Sequence, residues 1–143
     1  MPETISSASE LPEPLPSKAR PWIVVGYSPR PEGRAALERA VSEARLRSAA
    51  LIVVNTSPDA EAANLADELA ASGLQYEIRT AADAQGSAEE LLRTAETTAA
   101  DFIVIGLRRR SPVGKLLLGS NAQRVLLDAA CPVLAVKADP DAI

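Results

Sequence analysis

The chain alternates between short runs of consecutive apolar residues and longer stretches in which apolar residues recur at the spacing of one helix face. The apolar runs predict five strands, over residues 22–27, 51–56, 74–80, 101–105 and 132–136. The stretches between them predict four helices, over residues 33–49, 60–71, 87–99 and 121–129. Strands that are aliphatic at nearly every position are typical of a parallel sheet covered on both faces. The pattern therefore predicts an α/β domain with a five-stranded, mainly parallel sheet and helices on both faces.

Two of the predicted helix ends have local signals. Gly73 follows the second amphipathic stretch, and glycine is typical of the left-handed residue just after a helix. Ser87 stands three residues before Glu90, which predicts a capping box with Ser87 as the N-cap of the third helix. Both signals agree with the boundaries that the periodicity predicts.

The composition fits one domain preceded by a tail. Of the 143 residues 47% are hydrophobic and 3% aromatic, so an aliphatic core is expected. Residues 1–20 contain four prolines and few apolar side chains, which predicts a disordered segment. This tail is either a solvated leader or an extended arm that docks a partner. We expect the domain itself to span residues 21–143.

The charge and the hydropathy exclude two classes of partner. The formal net charge of -4 argues against a general nucleic-acid binder, because such a protein needs a basic surface for the phosphates. No apolar run approaches the about 20 residues that cross a bilayer, so no membrane partner is expected. The N-terminus lacks a basic segment followed by an apolar stretch, which makes a cytoplasmic location the expectation.

The clearest chemistry lies between Asp101 and Lys137. An apolar strand stops at Gly106, a predicted loop over residues 107–118 follows, and Gly119-Ser120 opens a helix. The cations of this loop are Arg108, Arg109, Arg110 and Lys115. Free N–H groups and the positive end of the helix dipole favour a bound anion such as phosphate. Since the first strand also ends at a glycine, Gly26, the two strand ends would form one crevice if the strands are neighbours.

Catalytic groups are scarce in this sequence. The chain has no histidine, and its single cysteine, Cys131, precedes Pro132 at the start of an apolar strand, which favours a buried structural thiol. No nucleophile and base, and no paired carboxylates, can be recognised from their spacing. We therefore expect a binding protein without a catalytic site or a protein-bound metal, with a slow ATPase as the enzymatic alternative.

Three features resemble the universal stress protein family, and together they span Pro21 to Lys137. Residues 23–37 are similar to the family's opening strand, loop and helix, and residues 119–137 to its last helix and strand. The third is the spacing from Gly106 to Gly119-Ser120, which fits the family's nucleotide-binding motif. The resemblance implies a Rossmann-like sheet of the adenine nucleotide alpha hydrolase type in strand order 3-2-1-4-5. It also implies a homodimer through the last strand and a role in stress response that involves bound ATP or AMP, with Mg²⁺ on the phosphates.

The resemblance further implies which residues contact the ligand. Thr56 falls beside the base, Ile105 and Gly106 on the floor of the cleft, and Gly119-Ser120 at the phosphates. The full set of expected ligand-binding residues is Gly26, Ser28, Thr56, Ile105, Gly106, Arg108, Arg109, Gly119, Ser120, Asn121 and Ala122.

Two positions depart from the family pattern. Arg109 stands at the second glycine of the motif, where it either strains a left-handed backbone or supplies a charge-assisted hydrogen bond to the phosphates. Ser28 stands where the family has an aspartate that meets the adenosine, and Pro29-Arg30 replaces the Gly-Ser that follows. Losing that carboxylate removes about 1 to 3 kcal/mol of hydrogen bonding. The alternative interpretation is therefore a nucleotide-free dimeric stress or interaction protein that has lost ATP binding.

Overall fold

The computed structural model describes residues 21–57, 62–83, 86–109 and 116–138, with the backbone alone at positions 62, 63, 109, 116 and 117. The predicted tail over residues 1–20 lies outside the described residues. Within them the chain forms six strands and four helices, namely β1 (Trp22–Tyr27), α1 (Pro31–Arg47), β2 (Ala50–Asn55), α2 (Ala62–Ser72), β3 (Tyr76–Thr80), α3 (Ser87–Thr98), β4 (Phe102–Arg109), β5 (Leu116–Leu117), α4 (Ser120–Asp128) and β6 (Val133–Lys137).

Five of the described strands form a parallel sheet in the order β3-β2-β1-β4-β6. Since β6 is the fifth strand that the sequence predicts, the predicted order 3-2-1-4-5 is confirmed. In the centre of the sheet Val24 of β1 lies between Ile52 of β2 and Ile103 of β4. Because all five strands run the same way, their carboxyl ends lie along one edge of the sheet.

The central strands are buried on both faces, as their continuous aliphatic runs predict. Along β1, Ile23 and Val25 face one apolar layer and Val24 faces the other, and all three are fully buried. Helices α1 and α2 cover the first layer with Leu37, Ala40, Leu65 and Leu69. Helices α3 and α4 cover the second with Ala88, Leu91, Ala95 and Val125. None of the helices in the described part of the chain is long and apolar enough to cross a membrane.

The fourth strand is longer than predicted, and this corrects the role of Gly106. The sequence predicts a strand that stops at Ile105 and a loop from residue 107, but β4 continues to Arg109. It continues because Gly106 and Leu107 pair with β6 and the two arginines that follow pair antiparallel with β5, a short strand that was not predicted. Gly106 is therefore inside a strand, and part of the cationic segment is strand. Residues 110–115 lie outside the described residues.

The other element boundaries lie within two residues of the predictions. Helix α1 begins at Pro31 and not at Gly33, because proline has a helix-compatible φ and its missing N–H is not needed at the first helical position. Helix α2 ends at Ser72, and Gly73 follows it with a φ of 78°, which confirms the predicted left-handed residue.

The predicted capping box at the start of α3 is wrong. Helix α3 begins at Ser87 itself, the N-cap is Gly86, and no described side chain caps it. The Glu90 carboxylate accepts hydrogen bonds from Arg93 at 3.0 Å and from Thr94 at 3.3 Å, so it does not reach back to the N-cap.

Two glycines let the first turn of α1 lie directly on the sheet edge. A Cβ at Gly106 of β4 would collide with the backbone carbonyl of Glu32 in α1. A Cβ at Gly33 would collide with the backbone and the hydroxyl of Ser28, in the loop that follows β1. The absence of both side chains fixes how closely α1 approaches the carboxyl ends of β1 and β4.

We predict that Gly106→Ala lowers the free energy of unfolding by about 1 to 3 kcal/mol, because β4 or α1 must move to admit the methyl group. The control is Gly119→Ser. Its Cβ would meet no described atom within 4 Å, its φ of -70° is ordinary, and serine is a favoured N-cap. Urea unfolding should place this control within about 0.5 kcal/mol of the wild type. A Gly106→Ala variant as stable as the control would contradict the packing described above.

Candidate functional site

A cavity of about 410 Å³ opens at the carboxyl edge of the sheet, between the ends of β1 and β4. The loop after β1 contributes Ser28, and the segment after β2 contributes Thr56. The opposite wall is made by β4 and by the start of α4, with Gly106 and Ser120. The volume lies within the range of about 300 to 1,000 Å³ that is usual for small-molecule sites.

The structure brings together ten of the eleven residues that the sequence singles out. The cavity is lined by Gly26, Ser28, Thr56, Ile105, Gly106, Arg108, Gly119, Ser120, Asn121 and Ala122. The side chain of the eleventh, Arg109, lies outside the described residues, although its backbone belongs to β4. That these residues bind a ligand stays a prediction, but they share one cavity although they come from four separate segments of the chain.

One part of the cavity wall is apolar. Leu91 of α3, Ile105 of β4 and Val125 of α4 all line it, and they are 4%, 6% and 1% exposed. Because Gly26 has no side chain, Leu91 can pack closely against β1. An added Cβ would lie 3.2 Å from a methyl group of Leu91. A ligand with an apolar, flat portion would therefore be accommodated against this floor.

Three helices begin at the cavity, and each lacks a side-chain cap among the described residues. Their N-caps are Arg30 for α1, Gly86 for α3 and Gly119 for α4. Uncapped first turns leave backbone N–H groups available to an anion, and the helix dipole adds a partial positive charge. The first turns of α1 and α3 contain glutamates, whereas that of α4 contains no acidic residue. The α4 end is thus the most favourable of the three for a negative charge.

The charged side chains at the rim include both signs. Arg108 of β4 lies 3.5 Å from the Glu32 carboxylate of α1, and the arginine side chain is 43% exposed. Arg30 is exposed and makes no ion pair within the described residues. An arriving anion would meet two guanidinium groups, one of which is already paired with a carboxylate.

Thr56 links the carboxyl ends of β1 and β2. Its hydroxyl and its backbone N–H both donate to the Tyr27 carbonyl, at 2.9 and 2.8 Å. The buried Asn55 side chain accepts a hydrogen bond from the Ser57 N–H at 3.1 Å, which forms a tight turn after β2. The Thr56 hydroxyl proton is therefore already used, and its oxygen can only accept a bond from a ligand.

Tyr27, also in the wall, is braced from outside by Arg34. The guanidinium lies 5.8 Å from the centre of the tyrosine ring and forms two hydrogen bonds to Glu68 of α2, at 2.9 and 3.0 Å. These bonds to Glu68, with a weaker one to the Tyr27 hydroxyl, raise the pKa of Arg34 above its already high ordinary value. The brace links α1, α2 and the end of β1.

Several lining residues were not predicted from the sequence. They include Tyr27, Arg30, Glu32, Ser87, Leu91 and Val125. The first three lie within residues 23–37, which resemble the opening segment of the family. Their closeness in sequence to Ser28 was therefore a signal that could have identified them. Ser87 and Leu91 had none, because the sequence pattern assigned them to a helix cap and to the core.

Cys131 lies outside the cavity lining. It is half-buried and not buried as predicted, because the turn between α4 and β6 leaves one side of it open. Partial burial raises the pKa of its thiol, which disfavours the reactive thiolate. No group of His, Cys, Asp or Glu residues that could hold a metal ion occurs in the described part of the chain.

The chain resembles known proteins over nearly all of its described length. A family model for the universal stress protein family matches residues 22–137. A universal stress protein of Mycolicibacterium smegmatis is 46% identical over 126 aligned residues, which cover 80% of this chain and 96% of the relative. The structure of a universal stress protein from Archaeoglobus fulgidus matches with a TM-score of 0.62 and 28% identity, over 82% of this chain and 98% of that chain. A universal stress protein crystallised in complex with cAMP matches with a TM-score of 0.62 and 25% identity, over 82% and 97%. On the match to the family model and the 46% identity to a relative covered almost completely, this chain belongs to the universal stress protein family.

Proposed function

We propose that this protein is a binding module for an adenine nucleotide, AMP or ATP, and acts in stress response. The observation that carries the proposal is that one cavity at the junction of β1 and β4 collects ten of the expected ligand-binding residues. A related universal stress protein with cAMP bound shares the fold at 25% identity. Open parallel sheets bind ligands at this kind of junction, where the connections leave toward opposite faces.

In this proposal the phosphates lie at the start of α4. Ser120 is the first residue of that helix, Gly119 before it has no side chain to block the approach, and the first turn has no acidic residue. Arg108 is close enough to line the same cavity and would add a charge-assisted hydrogen bond. Because Arg108 is paired with Glu32, the phosphate and the Glu32 carboxylate would compete for the same guanidinium group. The phosphate must attract it more strongly than the carboxylate does.

The base and the sugar would occupy the apolar side of the cavity, between Leu91, Ile105 and the end of β2. Ser28 offers a hydroxyl to the nucleoside and no carboxylate, so selectivity for adenine is weaker than with an aspartate. We also propose that Mg²⁺ accompanies ATP through the phosphate oxygens, since the one carboxylate in the described cavity lining, Glu32, is paired with Arg108.

The protein is proposed to bind the nucleotide without a catalytic role and to act in the cytoplasm. A helix N-terminus and a cationic side chain suffice to hold a phosphate, but they supply no general base. The nucleotide would thus serve as a signal that alters affinity for a partner.

The first test substitutes Gly119→Leu, which places a bulky side chain in front of the first α4 N–H groups. Isothermal titration with AMP and with MgATP should show affinity at least tenfold weaker than that of the wild type, because the phosphates can no longer reach the helix end. The matched control is Gln123→Leu, an exposed position one turn further along the same helix and outside the cavity lining. This control should bind like the wild type.

Two results would overturn the proposal. A freshly purified wild type that retains no nucleotide and binds none at millimolar concentration would favour the nucleotide-free dimeric interaction protein. Equal affinity of the wild type and Gly119→Leu would show that the phosphates do not lie at α4.

We further propose a homodimer through β6. This strand pairs with β4 on one side, has no strand on its other side in the described part of the sheet, and exposes part of Val133, Leu134, Ala135 and Val136. An apolar edge of this kind is a template for pairing with a second strand. Light scattering at micromolar concentration should give twice the 15.0 kDa of one chain. The mass of a single chain would refute the dimer.

A further inference from the structure

Ser87 is buried, and its hydroxyl has no hydrogen-bond partner among the described residues. The residue is 4% exposed, and it neither caps α3 nor makes a hydrogen bond to any other described residue. A buried polar group without a partner is uncommon, since such groups are nearly always hydrogen-bonded to protein or to water. Ser87 lines the cavity, so a molecule bound there can supply the missing partner.

Ser87 and the proposed phosphate end belong to different helices of the cavity wall. Ser87 is the first residue of α3, which packs over the carboxyl end of β1, where Leu91 approaches Gly26. The phosphate end at Ser120 belongs to α4, which contributes Val125 to the same apolar floor as Leu91 of α3. One ligand that spans the cavity would therefore meet the two serines with different parts of its structure.

The charges around Ser87 indicate which part it meets. The first turn of α3 contains Glu89 and Glu90, which oppose a phosphate there, whereas the first turn of α4 has no acidic residue. Arg124 lies 3.6 Å from the Glu89 carboxylate, and both side chains are about half exposed. This ion pair therefore offsets only part of the negative charge. A neutral polar group is thus favoured at Ser87. A serine hydroxyl both donates and accepts, so it suits a sugar hydroxyl or a base nitrogen equally well.

We propose that Ser87 is a ligand-binding residue whose hydroxyl hydrogen-bonds to the nucleoside part of the nucleotide, at the α3 end of the cavity. This inference rests on the proposed nucleotide binding and adds a recognition residue to it. It assigns α3 a part in recognition, beside the loops after β1, β2 and β4.

The test is Ser87→Ala, titrated with AMP and with inorganic phosphate in parallel with the wild type. AMP should bind about 3- to 10-fold more weakly to the variant, the loss of one neutral hydrogen bond. Binding of inorganic phosphate should be unchanged, because phosphate lies at α4. The melting temperature of the ligand-free variant should not fall, since the removed hydroxyl has no protein partner.

Thr94→Val is the matched control. Thr94 is a fully buried hydroxyl on the same helix, but it lies outside the cavity lining and is bonded to Arg79 at 3.4 Å and to Glu90 at 3.3 Å. This control should lose thermal stability and keep its affinity for AMP.

The outcomes separate the two levels of the proposal. If Ser87→Ala and the wild type bind AMP with equal affinity, the role of Ser87 is overturned, and the proposed nucleotide binding is not. An equal loss of affinity for AMP and for inorganic phosphate also overturns the role of Ser87, because the contact would then be to phosphate. A wild type that binds no AMP overturns the proposed function and this inference with it.

Discussion

The contact on which the site depends is the approach of the first turn of α1 to the carboxyl edge of the sheet. It is possible because Gly106 and Gly33 have no side chain, so Glu32 and Ser28 lie directly against them. A methyl group at either position would push α1 outward, and Arg30 and Glu32 would leave the rim of the cavity with it. Gly33 and Gly106 therefore shape the cavity through packing, because they bring charged residues of α1 to the ends of β1 and β4.

The parallel sheet supplies the rest of the site. Strands that all point the same way deliver each following helix N-terminus to one edge, and here three such ends meet around one cavity with an apolar floor. Their acidic residues make them unequal. In the proposed function, α4 contacts the negative part of the ligand, and α3, with its buried serine, contacts a neutral polar part. A nucleotide has this division of charge, with phosphates at one end and a largely neutral nucleoside at the other.

The aliphatic runs of β1, β2 and β4 predict the parallel sheet well, because burial on both faces leaves a continuous pattern. The family resemblance predicts the strand order and ten residues of the cavity. What could not be predicted depends on contacts between distant segments. The extension of β4 past Gly106 requires pairing with β6 and β5, and the tight packing of Gly106 requires Glu32. The interpretation of Ser87 as a cap was wrong for the same reason: local spacing cannot tell a capping hydroxyl from one that lines a cavity.

The central claim is that the junction of β1, β4 and α4 binds an adenine nucleotide, and glycine amides in and around this junction allow a direct measurement. Protein labelled with ¹⁵N-glycine and titrated with AMP should show chemical-shift changes at Gly26, Gly106 and Gly119, which line the cavity. The amide resonance of Gly73 should not shift, since this residue precedes β3 at the opposite edge of the sheet. Saturable shifts at the three cavity glycines with a constant Gly73 are the predicted result. Unchanged cavity glycines at millimolar AMP, or changes no larger there than at Gly73, would contradict the account.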